Sequence, residues 1–191
     1  MNTRLLVTSA AIFAATLVAG AATQDDPVVS VRETGGTYSV EARFSVPEPA
    51  SIVRNVLTDY ANIPRFMPHV RTSEVLERED GYALVEQEAI SQFMLFSKRV
   101  HLVLDVDESA GVIRFRDRCK KSFVRYEGVW TIREQSGTTD ITYELDAQPA
   151  FSVPEFVLRK LLNRDARVMI GRLRTEIRSR ATSGSSAATS R

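Results

Sequence analysis

Few side chains in this sequence combine reactive chemistry with a spacing that lets them act together, and the clearest group lies in residues 111–119, Gly-Val-Ile-Arg-Phe-Arg-Asp-Arg-Cys. Read as a strand, this stretch puts Val112, Arg114, Arg116 and Arg118 on one face and Ile113, Phe115, Asp117 and Cys119 on the other. Three arginines in a row belong to water, so Asp117 is expected on the inner, apolar side. A carboxylate there needs a partner or holds its proton more tightly. It is a weak candidate for a general acid or a polar anchor in a cavity, set against the simpler reading of an ion pair at the sheet edge. The following strand places Val124, Tyr126, Gly128, Trp130 and Ile132 on its inner face, and residues 82–90 place Ala83, Val85, Gln87 and Ala89 likewise. Tyr126, Trp130 and Gln87 carry polar tips able to orient a ligand carbonyl or hydroxyl, although core aromatics carry the same tips without any ligand.

Other chemistries find little support. His69, His101 and Cys119 show no pair at metal-ligand spacing, and Cys119 has no nucleophile motif around it, so it reads as a small buried hydrophobe. The sequence calls for no metal and no cofactor. As the single cysteine, Cys119 also excludes an intrachain disulfide.

An apolar constellation is more informative than any polar one. In Ser91-Gln92-Phe93-Met94-Leu95-Phe96-Ser97, four large apolar residues stand together between two strands, where turn residues are usual. They read as the lip of a cavity, with Phe66, Met67, Phe156 and Leu158 completing an apolar wall beside Tyr126 and Trp130. Two alternatives are a buried strand and a patch that touches a membrane or a partner.

The elements that hold these residues follow from periodicity. Residues 37–46 alternate at period two and form a strand that Pro47 and Pro49 end. Residues 50–58 and 59–66 read as two short helices. Strands follow at 71–78, 82–90, 97–107, 111–119, 123–134 and 138–147, joined by short turns that force an antiparallel meander. From Val153 to Arg180, Leu158, Leu162, Ala166, Met169, Leu173 and Ile177 recur at helical spacing. One long amphipathic helix is therefore expected, followed by a disordered tail at 181–191. The fold class is α+β, a curved antiparallel sheet of about seven strands wrapped around the last helix. Basic residues on that helix suit anionic headgroups, making a membrane-surface contact one expected partner.

Residues 1–22 have a charged start, an uncharged apolar run from Leu5 and the small residues Ala19-Gly20-Ala21, the order of a cleaved signal peptide; an uncleaved anchor is the alternative. The protein is thus expected to be exported, periplasmic or secreted. Without Arg4 the 25 Lys and Arg become 24, balancing 24 Asp and Glu. That neutrality argues against nucleic acid as a partner.

The segment Asp59-Tyr60-Ala61-Asn62-Ile63-Pro64-Arg65-Phe66-Met67-Pro68-His69-Val70, followed by Ser73-Glu74-Val75, resembles the corresponding segment of START-like (SRPBCC) proteins. The nearest branch holds polyketide cyclase/dehydrase-like and coenzyme-Q-binding proteins. Gly128-Val129-Trp130 and the closing helix agree with it. The resemblance implies a helix-grip fold over residues 37–180, after a polar leader at 23–36. It also implies a hydrophobic small-molecule ligand, such as a lipid, quinone or polyketide-like compound, bound in an internal cavity. A cyclase, dehydratase or isomerase acting in the same cavity is the alternative.

Overall fold

A computed structural model describes residues 26–93 and 96–188, with side chains except those of 91–93, 96 and 185–188. The segment read as a signal peptide lies outside the described residues. Eight strands form one antiparallel sheet: β1 (Val28–Thr34), β2 (Thr37–Val46), β3 (Val70–Glu79), β4 (Tyr82–Phe93), β5 (Phe96–Ser109), β6 (Val112–Asp117), β7 (Phe123–Gln135) and β8 (Thr138–Pro149). Their order is β1-β2-β8-β7-β6-β5-β4-β3, so the expected meander runs from β3 to β8 and β2 then pairs with β8. Between β2 and β3 lie α1 (Ala50–Leu57), a 3-10 turn (Tyr60–Asn62) and α2 (Ile63–Phe66), and α3 (Glu155–Ala188) closes the chain. This is the helix-grip arrangement.

Three details depart from the sequence reading. The supposed polar leader contains β1, which makes the sheet one strand larger. Gly35 and Gly36 both adopt positive φ, 59° and 82°, and close a two-residue hairpin that only such residues make cheaply. Only Val29 and Val31 mark the packed side of this strand, too little alternation to stand out. Next, β7 carries a bulge between Phe123 and Arg125. The extra residue turns Val124 out to 54% exposure and brings Phe123 inward, against strict alternation. Finally, α3 runs on to Ala188 where a disordered tail was expected from 181. Ala at 181, 187 and 188 favours helix, and the Thr182 and Ser183 hydroxyls donate to the carbonyls of Arg178 and Ser179, at 3.2 and 2.9 Å.

The core lies between the sheet's inner face and α3. Val40, Ala42 and Phe44 of β2, Ala83 and Val85 of β4, Leu102 to Val106 of β5 and Ile141 to Ala147 of β8 alternate inward. Against them α3 buries Ala166, Ile170, Leu173 and Ile177. Burying such side chains stabilises by about 1.5–3 kcal/mol each.

The short helices are held by charge. Glu108 on the inner face accepts a hydrogen bond from the Tyr60 hydroxyl at 2.9 Å and pairs with Arg78 at 3.1 Å and Arg54 at 3.6 Å. A carboxylate only 6% exposed is tolerable because three donors meet it. Burial, then the Glu108 charge, pushes the Tyr60 phenol far above its ordinary range.

Candidate functional site

Pro149 ends β8, and Pro154 starts α3 by accepting from the Val157 and Leu158 amides at 3.0 and 3.2 Å. The four residues between link sheet to helix, tied down where the Ala150 amide donates to the Ser122 carbonyl at 3.0 Å. Beneath this corner is an apolar cavity of about 90 Å³. The sheet supplies Val100, Phe123, Ala147 and Pro149; the link and helix supply Phe151, Val153, Val157, Leu158, Leu161 and Leu162. Lys98 is the only charged residue of this lining, its ammonium 4.6 Å from the centre of the Phe151 ring.

Aromatic side chains fill the inner face beyond the cavity. Phe123 and Tyr126 rings lie 4.9 Å apart, Phe115 and Tyr126 6.0 Å, and Trp130 and Tyr143 4.4 Å. Gly128 makes room for this group, since a Cβ there would press into the Phe115 ring and the Glu144 carbonyl oxygen. The Tyr126 and Tyr143 hydroxyls hydrogen-bond to each other, satisfying two polar tips at once. Burial pushes the Tyr126 phenol up to about 12, and burial together with Tyr126 raises Tyr143 well above 10. Both therefore stay protonated at neutral pH and act as hydrogen-bonding groups.

The residues singled out from sequence separate into distinct places. Leu158 lines the cavity. Tyr126 and Trp130 belong to the adjoining aromatic group, while Phe66 and Met67 pack on the core without reaching the cavity lining. Gln87 donates to the Ser73 hydroxyl at 3.1 Å across the β3–β4 pair. Phe156 is 65% exposed on the first turn of α3, because its neighbours Val157 and Leu158 take the inward positions of the helix. Phe93 and Phe96 pair at the end of the β4–β5 hairpin, so the apolar run is two strand ends; Met94 and Leu95 lie outside the described residues.

Asp117 is inward and buried as expected, but both its oxygens serve the backbone. One accepts from the Val103 and Cys119 amides at 2.9 and 3.2 Å, the other from Lys120 at 3.0 Å. These bonds hold the β6–β7 turn, including Lys120 at φ 51°. Cys119 donates weakly to the His101 carbonyl at 3.8 Å.

Sequence reasoning missed Phe123, Tyr143 and Leu161, and named Phe151 only as a neighbour of the expected lip. The period-two run Ile141, Tyr143, Leu145, Ala147 was a usable signal for Tyr143. The bulge hid Phe123, and the link residue Phe151 obeys no period. A second concavity, about 1110 Å³, crosses the outer face of the sheet among charged residues such as Glu41, Asp105, Arg114 and Glu144. Half of its lining residues are charged.

Residues 46–174 match the family model described as polyketide cyclase / dehydrase and lipid transport. No curated protein is significantly similar in sequence. Solved structures share the fold. A START superfamily protein from Mycobacterium smegmatis aligns with TM-score 0.65 at 17% identity, over 74% of this chain and 97% of its own. The Zhui aromatase/cyclase from Streptomyces sp. R1128 gives 0.64 at 18%, over 76% and 96%. The STAR-related lipid transfer protein from Xanthomonas axonopodis gives 0.60 at 18%, over 81% and 99%.

Proposed function

Because the chain belongs to the polyketide cyclase/dehydrase and lipid transport family, we propose that it binds and carries a hydrophobic small molecule between α3 and the sheet. The observation that carries this reading is the cavity beneath the start of α3, walled by ten apolar side chains with one cation at its edge. The cavity holds about 90 Å³. Pockets for drug-sized ligands hold roughly 300–1,000 Å³. A lipid-, quinone- or polyketide-sized guest therefore enters by displacing the Phe151–Val153 link and the first turns of α3, which few polar contacts restrain.

Binding is favoured over catalysis by what the polar groups are doing. A cyclase or dehydratase needs a group that gives or takes a proton. Asp117 is engaged by three backbone amides, and Tyr126 and Tyr143 hold their protons. The neighbouring aromatics supply contact area and hydrogen-bonding tips instead. For place of action we propose export, supported by the charged, apolar and small-residue order of residues 1–22.

The test is titration of the purified protein with cis-parinaric acid, a fatty acid that fluoresces in apolar surroundings. A saturable signal is expected, abolished by Val157→Trp, which fills the cavity. Absence of saturable binding, or equal binding by the filled variant, overturns the proposal.

A further inference from the structure

The chain as a whole is close to neutral, with 25 Lys and Arg against 24 Asp and Glu, yet the end that holds the cavity is not. Three segments meet there. The start of β5 is joined to the β6–β7 turn where the His101 amide donates to the Ser122 hydroxyl at 3.0 Å. That turn is joined to the β8–α3 link by the Ala150–Ser122 bond at 3.0 Å and by the Phe123 and Phe151 rings, 6.4 Å apart. The first turns of α3 follow directly.

Residues 97–101, 118–122 and 150–160 present Lys98, Arg99, Arg118, Lys120, Lys121, Arg159 and Lys160, all exposed, with Glu155 as the one acid among them; Arg118 pairs with Asp105 at 2.9 Å and Arg159 with Glu155 at 3.4 Å. At this end Phe156 stands 65% exposed, three and four residues before Arg159 and Lys160 on the same helix. A large aromatic costs free energy in water, and one that shares a helix face with cations has the composition of a membrane-surface contact. Four of the seven cations are lysines, flexible point charges that suit a diffuse anionic surface better than a shaped, bidentate partner.

We propose that this end docks on an anionic lipid bilayer, Phe156 entering the headgroup boundary while the surrounding lysines and arginines face the lipid phosphates. The inference rests on the carrier reading for its purpose: docking brings the cavity corner against the phase in which an apolar guest dissolves. The expected membrane contact thereby moves from the length of the last helix to its first turns.

Co-sedimentation with two kinds of vesicle tests it, phosphatidylcholine alone and phosphatidylcholine containing phosphatidylglycerol. The full-length protein is expected to bind the second kind only, and less in high salt, which screens exposed charges. Combined Lys120→Gln, Lys121→Gln and Lys160→Gln should weaken binding about 100-fold, roughly fivefold per charge removed. Phe156→Ser should weaken it about tenfold. Both variants should keep the unfolding midpoint and the parinaric acid affinity measured without vesicles. No binding to anionic vesicles, binding indifferent to headgroup charge, or variants that bind like the parent would each overturn docking. Loss of parinaric acid binding in the parent, with vesicle binding intact, would instead remove the carrier reading and leave docking standing.

Discussion

The two halves of α3 share one amphipathic stripe and differ in what lies beneath it. From Ala166 onward, the C-terminal part buries Ala166, Ile170, Leu173 and Ile177 against the sheet and α1. It is also pinned by Arg180, which reaches Asp59 at 2.8 Å and the Asn55 carbonyl at 3.4 Å. The N-terminal part, up to Leu162, covers the 90 Å³ cavity, leaves Phe156 in water and has mainly apolar contacts below, the polar ties to the β1 segment starting only at Asn163 and Arg167. Polar pins fix an element in place, whereas apolar contacts alone tolerate sliding and repacking. One helix thus serves as anchor at one end and adjustable wall at the other.

Core deletions break this comparison most strongly. Ile170→Ala, at 0% exposure, should cost about 3 kcal/mol in denaturant unfolding, whereas Leu161→Ala beside the existing cavity should cost about 1 kcal/mol and increase parinaric acid affinity. Equal losses at the two sites would mean that the halves are packed alike.

Alkaline titration probes the aromatic group next to the cavity. The Tyr126 phenol is raised in the folded state to about 12 from an ordinary value near 10, so its stabilising contribution is complete below pH 10 and disappears as pH rises towards 12. A loss on the order of 2 kcal/mol across that window is expected, smaller in Tyr126→Phe. A pH-independent stability up to 12 would contradict it.

Smaller effects separate anchor from wall. Arg180→Ala should cost about 1 kcal/mol, since the pair is only partly buried, without altering ligand affinity. Gly171 lies within the anchored part, next to Ile170 but exposed, and a Cβ there would meet nothing within 4 Å. Thr175 donates to its carbonyl at 3.0 Å, a bond that favours bending. Gly171→Ala should therefore add about 1 kcal/mol of stability while slowing ligand uptake in stopped-flow mixing. Faster or unchanged uptake would deny that the helix bends there.

Much of the architecture was legible because periodicity reports burial directly. The alternation of Tyr38 to Val46 and the stripe from Leu158 to Ile177 each have one solution, and short turns force strand neighbours. The segment Asp59 to Val70 was legible as a family resemblance, and its roles became visible only in space. Tyr60 bonds to Glu108 from a distant strand, and Asp59 pairs with Arg180 from the last helix.

The candidate site was less legible. Phe156 and Phe151 flank Pro154, where no period predicts which ring turns inward; the structure sends Phe151 under the corner and Phe156 into water. Asp117 was correctly placed on the inner face, but alternation says nothing of the amides waiting there.

Residue order by itself determined the succession of elements, the buried faces and the cationic and apolar composition of the cavity end. Which side chains share that end, and how little space they leave, was decided by tertiary structure alone. Periodicity is a property of neighbours along the chain, whereas a cavity is the difference between large packed volumes contributed by segments far apart in sequence.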